Sequence, residues 1–378
     1  MMIQAVLGNP NHPEYGVATI PFPIPRDQYA HCMELLEVLE IGDAVKADCK
    51  VQAINSFYTV LKRTEMLTVN VEELNYLAKR LDSFDTGEAA QFQAMAHKLE
   101  LFELKDLINL TFCCQQATVI TDFSDLAAIG RDHYMNLHGG CAKTEELDAL
   151  DSVETARRLI ESGSGTITPY GVVYDNSMEL EQIYDGRFFP CYYYEPNAIT
   201  VAVTSKAEPE DTEHITWLFL PMVQEEIDRA LLRGGITDPS EIRLSLEDSW
   251  LPHEVFDLLN MDHVDISELN ALVQALDEFS DMSIRKYAAA AVMARPHTTE
   301  QAKHLAENLD LFDFAPSAST PEEYGKYMIQ QSGRFEYDEN LDAFYDYEKY
   351  GTERMNEEDG MFTDRGYIAY KGYISMEE

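Results

Sequence analysis

Apolar and polar residues alternate in short runs at the start of the chain. Residues 3–7 and 16–22 read as strands, the second stopped by Pro21, Pro23 and Pro25. Asp27 suits a helix N-cap, with Tyr29, Met33, Leu36 and Leu39 following at helical spacing and Gly42 as the end. Cys49, Val51 and Ala53 then alternate with polar neighbours, as a half-buried strand does. The result is a small β-β-α-β unit, followed by an expected helix over 57–67. Residues 69–100 hold almost no Gly or Pro. Leu74, Leu77, Ala78 and Leu81 make one helical face, and Phe92, Met95, Ala96 and Leu99 another, with Thr86 and Glu88 opening the second helix. Helix extends to about residue 110 in this reading. A turn at 121–124 leads to a helix over 126–137, closed by Gly139 and Gly140. A helix at 153–161 ends in Ser162-Gly-Ser-Gly165, a strand covers 170–174, and 180–193 read as a bridge containing Gly186 and Pro190.

There the pattern restarts. Ile199-Thr-Val-Ala-Val203 resembles residues 3–7, Thr216-Trp-Leu-Phe-Leu-Pro221 resembles 20–25, and 223–232 repeat the first amphipathic helix with Gly234-Gly235 as its end. Ile242, Leu244 and Leu246 alternate as Cys49, Val51 and Ala53 do. The run from Val69 through Glu-Leu-Asn75 to Phe84 faces Val264 through Glu-Leu-Asn270 to Phe279, each pair 195 positions apart. Gly130 faces Gly325, Leu147-Asp-Ala149 faces Leu341-Asp-Ala343, and Gly165, Thr168 and Gly171 face Gly360, Thr363 and Gly366. A near-constant offset kept over so many positions signals a tandem duplication, with too few copies for a solenoid. The fold class expected is α+β, an elongated multi-domain chain that repeats a β-rich domain, a helical segment and a small α+β domain. The boundaries are 1–66, 67–112 and 113–190 for the first copy, and 191–260, 261–312 and 313–378 for the second.

Charge changes the picture most. The chain carries 68 acidic and 28 basic residues, net −40. Residues 1–190 hold 29 and 14 of these, net −15, leaving 39 and 14, net −25, for the rest. The stretch 336–378 alone has thirteen acids against four cations in 43 residues. A disordered acidic tail is poor in aromatics. This one carries Tyr337, Phe344, Tyr345, Tyr347, Tyr350, Phe362, Tyr367, Tyr370 and Tyr373, apolar mass enough to fold. Direct nucleic-acid binding needs clustered Lys and Arg and is excluded as a class. No apolar run reaches membrane-helix length, and the N-terminus lacks the basic and apolar regions of a signal peptide. Six scattered cysteines without a C-x-x-C pair read as reduced and mostly buried, in a cytoplasmic protein.

The signatures of catalysis and cofactor binding are missing from the sequence. It holds no Walker loop, G-x-G-x-x-G, H-E-x-x-H or G-x-S-x-G. His133 and His138 lie five apart, off the face a helical zinc pair uses. Asp338-Glu-Asn340-Leu-Asp342 has the first oxygen spacings of a calcium loop, but Ala343 replaces the turn Gly and Lys349 the bidentate Glu, so it reads as a solvated acidic turn. No catalytic residue, cofactor or metal is expected.

A net charge of about 2 to 8 keeps a small domain soluble, so solubility leaves most of this charge unexplained. At one charge per ~1.7 Å of B-DNA axis, forty charges would cover roughly 68 Å, or about 20 base pairs. Such a field suits a mimic of DNA. The run Asp338-Glu-Asn-Leu-Asp-Ala-Phe-Tyr-Asp-Tyr-Glu-Lys-Tyr-Gly351-Thr-Glu-Arg-Met355, followed by Gly366-Tyr-Ile368, resembles the C-terminal domain of the ArdA antirestriction proteins, with its acidic-aromatic D-Y-E-x-x-G helix and short strand. Thr121-Asp-Phe-Ser-Asp-Leu-Ala-Ala-Ile-Gly130-Arg and Thr320-Pro-Glu-Glu-Tyr-Gly325-Lys resemble that family's preceding turn and helix. Residues 3–53 and 199–247 resemble its N-terminal β-rich domain.

The resemblance implies elongated, three-part α+β DNA mimics, carried on conjugative plasmids and transposons, that occupy the DNA-binding groove of type I restriction–modification enzymes. The chain departs from the family in length, as two copies fused where the usual member is one copy that dimerises. A monomer acting as a pseudo-dimer and a homodimer both stay open. The partner expected is a type I methyltransferase core or another DNA-binding defence protein. Candidate contact residues are Glu336, Asp338, Glu339, Asp342, Asp346, Glu348, Glu353, Glu357, Glu358, Asp359 and Asp364, with Asp310, Asp313, Glu322 and Glu323. Two other readings remain: an acidic adaptor or regulator not shaped as DNA, and a hydrolase with an unrecognised carboxylate site. Competition by duplex DNA separates the first from the mimic. A pocket of converging acids marks the second.

Overall fold

Ile3, Ala5 and Leu7 on one strand and Ala18, Ile20 and Phe22 on the next are all buried, so period-2 burial fixes one face and with it the register. β1 (Ile3–Gly8) and β2 (Val17–Phe22) accordingly pair antiparallel with Ile3 opposite Phe22. The computed structural model describes residues 3–192, 197–207, 213–316, 318–334 and 336–372. After α1 (Tyr29–Val38), strands β3 (Cys49–Asn55) and β4 (Thr68–Val69) complete a sheet of order β2-β1-β3-β4. Asp27 is not the cap of α1; it lies in a 3-10 turn, Arg26–Gln28, that leads into the helix. The helix expected over 57–67 is also absent. Only Thr59–Thr64 coil, as a 3-10 helix. The chain then folds onto β3, where Met66 N–H donates to the Val51 carbonyl (2.7 Å) and the Glu65 carboxylate accepts from Ile54 N–H (3.0 Å). Pairing with a strand edge outweighs local helix preference there.

α2 (Val71–Asp82) is capped by Asn70, and α3 (Thr86–Lys98) by Asp85, which with Glu88 forms a capping box one residue ahead of Thr86. α4 (Leu104–Leu110) follows. The remainder of the first half is β5 (Thr118–Ile120), α5 (Leu126–Leu137), α6 (Thr144–Ala149), α7 (Ser152–Glu161), β6 (Thr166–Thr168) and β7 (Gly171–Tyr174). The strands form a sheet of order β5-β7-β6. β5, β6 and α6 are additions to the sequence reading; each is too short to show a period of its own.

The second half runs through β8 (Ile199–Ser205), β9 (Thr216–Leu220), α8 (Gln224–Arg233) and β10 (Ile242–Ser249). It continues with α9 (Ile266–Asp277), α10 (Asp281–Ala294), α11 (Thr299–Glu307), β11 (Phe312–Pro316), α12 (Pro321–Gln330), α13 (Tyr347–Glu357), β12 (Asp359–Thr363) and β13 (Gly366–Tyr370). Its sheets have the orders β10-β8-β9 and β11-β13-β12, both antiparallel. The chain is thus α+β, with helices and small antiparallel sheets throughout.

The chain divides into two compact units, Met1–Pro196 with Glu225–Gly235, and Asn197–Gln224 with Ile236–Glu378. Most of α8, expected within the second β-β-α-β domain, therefore belongs to the first unit. Its polar face explains why. Arg229 donates to Glu72 (2.6 Å) and to the Gly42 carbonyl (2.7 Å), and Lys79 donates to Glu226 (3.1 Å). Arg233 is buried, stacked 4.4 Å over the Phe189 ring. It donates to the Ala44 and Arg187 carbonyls (2.9 Å each), to Asn70 Oδ1 (3.0 Å) and to the Tyr184 hydroxyl. Arg229, Arg233 and Glu226 thus each find a partner where the helix buries them, as burial of charge requires.

The paired sequence positions have parallel roles. Asn75 on α2 accepts the Ile24 N–H (2.8 Å), and Asn270 on α9 accepts the Met222 N–H (2.9 Å), each tying down the chain just past a second strand. A Cβ at Gly130 on α5 would stand 1.8 Å from the Ser152 carbonyl oxygen at the start of α7. At Gly325 on α12 it would stand 2.0 Å from that of Tyr347 on α13. Thr168 and Thr363 each donate to the carbonyl three residues on, Gly171 and Gly366 (2.8 Å in both), closing the β6–β7 and β12–β13 turns. β1 and β8 are each flanked by the next strand and by the strand after the helix.

Candidate partner-binding surface

The acidic-aromatic stretch folds around β11, α12, α13 and the β12–β13 hairpin. Ala315, Ala318, Tyr324, Met328, Tyr367 and Ala369 form its buried core, with Tyr327, Tyr350, Met355 and Phe362 packed against them. Thr320 caps α12 and Asp346 caps α13. The two helices close on each other over Gly325 and Gly351, where a side chain would strike the facing backbone. Tyr324 and Tyr367 pack ring against ring, centroids 4.1 Å apart. Arg365, in the hairpin turn, pairs bidentately with Glu254 of the same unit (2.8 and 3.0 Å).

Three of the candidate acids serve this framework rather than the solvent. Asp342 accepts from the hydroxyls of Tyr347 and Tyr337 and from the Gln330 amide (2.8 Å). The Tyr347 and Tyr337 hydrogen bonds hold its carboxyl below the ordinary range. Glu358 accepts from Tyr324 (2.5 Å) and pairs with Arg354. Burial of Tyr324, with that hydrogen bond second, pushes its hydroxyl far up. Asp313 is half-buried; burial works against its charge, but Lys371 and Arg334 outweigh it and keep the carboxyl low.

The rest stand in water. Asp310 lies in the Leu309–Leu311 turn, Glu322 and Glu323 in the first turn of α12, and Glu336, Asp338 and Glu339 at the approach to α13. Asp346, Glu348, Glu353 and Glu357 belong to α13 and its cap, Asp359 to β12, and Asp364 to the hairpin turn; all are exposed. Glu323 accepts from the Ser319 hydroxyl (2.7 Å) and backbone N–H, which lower its pKa. Glu357 meets Arg354 (3.3 Å). Asp338 caps the 3-10 helix Glu339–Phe344. Acids on these elements keep their charge outward because the interior is filled by aromatic rings.

The sequence reading counted Phe344 among the core aromatics. It is 83% exposed, and Leu341 is 47% exposed. Their spacing of three within an acid-rich run was the available signal, but helix type decides what that spacing means.

The hydrolase reading has its own site to answer to. A cleft of about 590 Å³ in the first unit is lined by Met33, Glu37, Glu40, Asp43, Asp48, Glu225 and Arg229 among others. Asp48 accepts the Gly42 and Asp43 N–H groups (3.0 Å each), and Asp43 those of Val45 and Lys46 (2.8 Å each), while Arg229 is committed to Glu72. These carboxylates build the loop that follows α1. Among the described residues no three His, Cys, Asp or Glu side chains converge as a metal site. No helix among them is long and apolar enough to cross a membrane. Cys32, Cys49, Cys113 and Cys114 are buried free thiols.

Residues 212–369 match the family model of the antirestriction protein ArdA. Over these residues the chain is similar to the ArdA antirestriction family. The match runs from β9 into β13 and so takes in nearly all of the acidic-aromatic framework of the second unit. No curated protein matches the chain significantly. The general function that follows for the ArdA region is antirestriction, and the general partner is restriction machinery.

Proposed function

We propose that the chain is a DNA mimic that inhibits type I restriction–modification enzymes by occupying their DNA-binding groove. The observation that carries this reading is the separation of roles among the acids of the ArdA region. Asp313, Asp342 and Glu358 hold the framework, while the remainder stand exposed on helix caps, helix faces and a hairpin turn. An array of fixed, hydrated carboxylates presents the charge a DNA-binding cleft attracts, and salt weakens such attraction. The test is competition. The protein is bound to a type I methyltransferase core, and specific duplex DNA is titrated in. Displacement in proportion to DNA affinity supports the mimic. Simultaneous binding of DNA and protein rules it out and leaves the acidic adaptor.

We further infer that the first half is a second, less acidic ArdA-like copy. The parallel roles of Asn75 and Asn270, Gly130 and Gly325, and Thr168 and Thr363 support this reading, as do strand orders that match apart from the short edge strand β4. The mimic surface then lies chiefly on residues 313–372, with the first copy as scaffold. Superposing the two halves of an experimental structure tests it; different connectivity in the two would end the inference.

A further inference from the structure

Leu341 and Phe344 stand three apart on the 3-10 helix Glu339–Phe344. A 3-10 helix has three residues per turn, so these two side chains eclipse and form one ridge. Phe344 is 83% and Leu341 47% exposed. The turn beneath them is well fixed. Asp342, between them in sequence, is clasped by Tyr337, Tyr347 and Gln330; Asp338 caps the turn through Asn340 N–H (2.9 Å), and Asp346 caps the helix that follows through Lys349 N–H (3.1 Å). Exposed acids flank the ridge on both sides in sequence: Asp338, Glu339, Asp346 and Glu348. A mimic working by charge alone has no use for an aromatic ring held out among its carboxylates. The position facing Phe344 in the first half is Leu150, followed by an acid, Asp151, where the second half has Tyr345.

We propose that Leu341 and Phe344 are an apolar anchor that enters a recess in the basic DNA-binding surface of the target. This rests on the reading given under Proposed function and adds to it a contact that DNA phosphates do not make. The occupant is set by charge complementarity. A second copy would bring its own flanking carboxylates against these, and the chain already carries net −40; a basic cleft neutralises them. Aromatic side chains ringed by polar contacts are common hot spots of interfaces, and an anchor on a turn already held in place saves the cost of ordering that backbone on binding. Its contribution is apolar and unscreened, whereas the carboxylates act over a salt-dependent Debye length. The anchor therefore sets the affinity that survives at high salt, and the residence time.

The experiment measures binding of the full chain to a type I methyltransferase core over a series of salt concentrations. Phe344→Ala should weaken binding about 30-fold by the same factor at every salt, mainly through faster dissociation, with the slope of log affinity against log salt unchanged. Phe344→Leu should restore most of it. Because the side chain is exposed, the melting temperature should stay at that of the parent, which removes misfolding as a cause. Wild-type affinity for Phe344→Ala, alongside lost affinity for a carboxylate-neutralised variant, overturns the anchor and leaves the charge reading standing. A loss with a flattened salt slope overturns it too, since the ring would then act by placing charge. So does a change in sedimentation behaviour with target binding intact, which would assign the ridge to a second copy. If DNA fails to displace the parent while Phe344→Ala still loses binding, the mimic reading falls and the anchor stands.

Discussion

Neutralising Glu336, Glu339, Glu348, Glu353, Asp359 and Asp364 together, as Gln or Asn, isolates the charge of the ArdA region from its fold. All six are exposed, and the ion pairs and clasps that hold the domain use Asp313, Asp342 and Glu358 instead. The aromatic core is untouched, and removing six like charges relieves self-repulsion. Stability should hold or rise slightly, Glu348 alone giving back a few tenths of a kcal/mol at the start of its helix. For binding, an exposed charge contact is worth about 0.2–1 kcal/mol. Six at about 0.5 kcal/mol sum to about 3 kcal/mol, roughly a 150-fold loss in affinity. The loss should shrink as salt rises, and the salt dependence should flatten with it. A matched variant with Glu14, Asp27, Glu34, Glu37, Glu40 and Glu100 neutralised, all exposed in the first half, should lose far less. The assay is equilibrium binding to a type I methyltransferase core at several salt concentrations, with melting curves for each variant. Equal losses from both variants would assign the effect to total charge. Complete loss from any single one of the six, with the fold intact, would point to a discrete site and return the hydrolase reading to the front.

Other expectations follow from the packing. Gly325→Ala places a methyl 2.0 Å from the Tyr347 carbonyl oxygen, and since backbone must move it should cost at least about 1–3 kcal/mol; an unchanged urea midpoint would refute the close approach of α12 and α13. Arg233→Met removes a buried cation and strands the groups that accept from it, including the Ala44 and Arg187 carbonyls. It should destabilise the first unit by about 3–5 kcal/mol, read by denaturant unfolding, and full stability would show that α8 is not held there by this residue. The Asp342 carboxyl titrates below its unfolded value, first through Tyr347 and then Tyr337. A depressed folded pKa gives stability that is complete above the unfolded value, about 3.9, and lost as pH falls through the folded one. NMR titration should place its midpoint below the ordinary Asp value of about 3.9; a midpoint at or above that value would contradict the clasp.

The sequence alone determined the repeating elements with a period long enough to read. The apolar faces of α2 and α9, the alternation of β1, the apolar run of β8 and the paired glycines each show locally what they do, because helix and strand burial follow short local patterns. It also determined the charge, and through the acidic-aromatic run the ArdA resemblance that the family match bears out over residues 212–369. Tertiary structure decided the rest. Residues 57–67 carry no Gly or Pro and read as a helix, yet the edge of β3 draws Glu65 and Met66 into contact with it. Three-residue strands such as β5 and β6 exist only through pairing with β7. Helix α8 reads as part of the second half and yet packs within the first unit, because the partners of Arg229 and Arg233 lie there. Among acids of one composition, only folding separated Asp342, Asp313 and Glu358, which meet hydroxyls and cations, from those left in water. A carboxylate looks the same in sequence whether it clasps a turn or faces a partner, and so does a phenylalanine, whose burial depends on which residues come to lie over it.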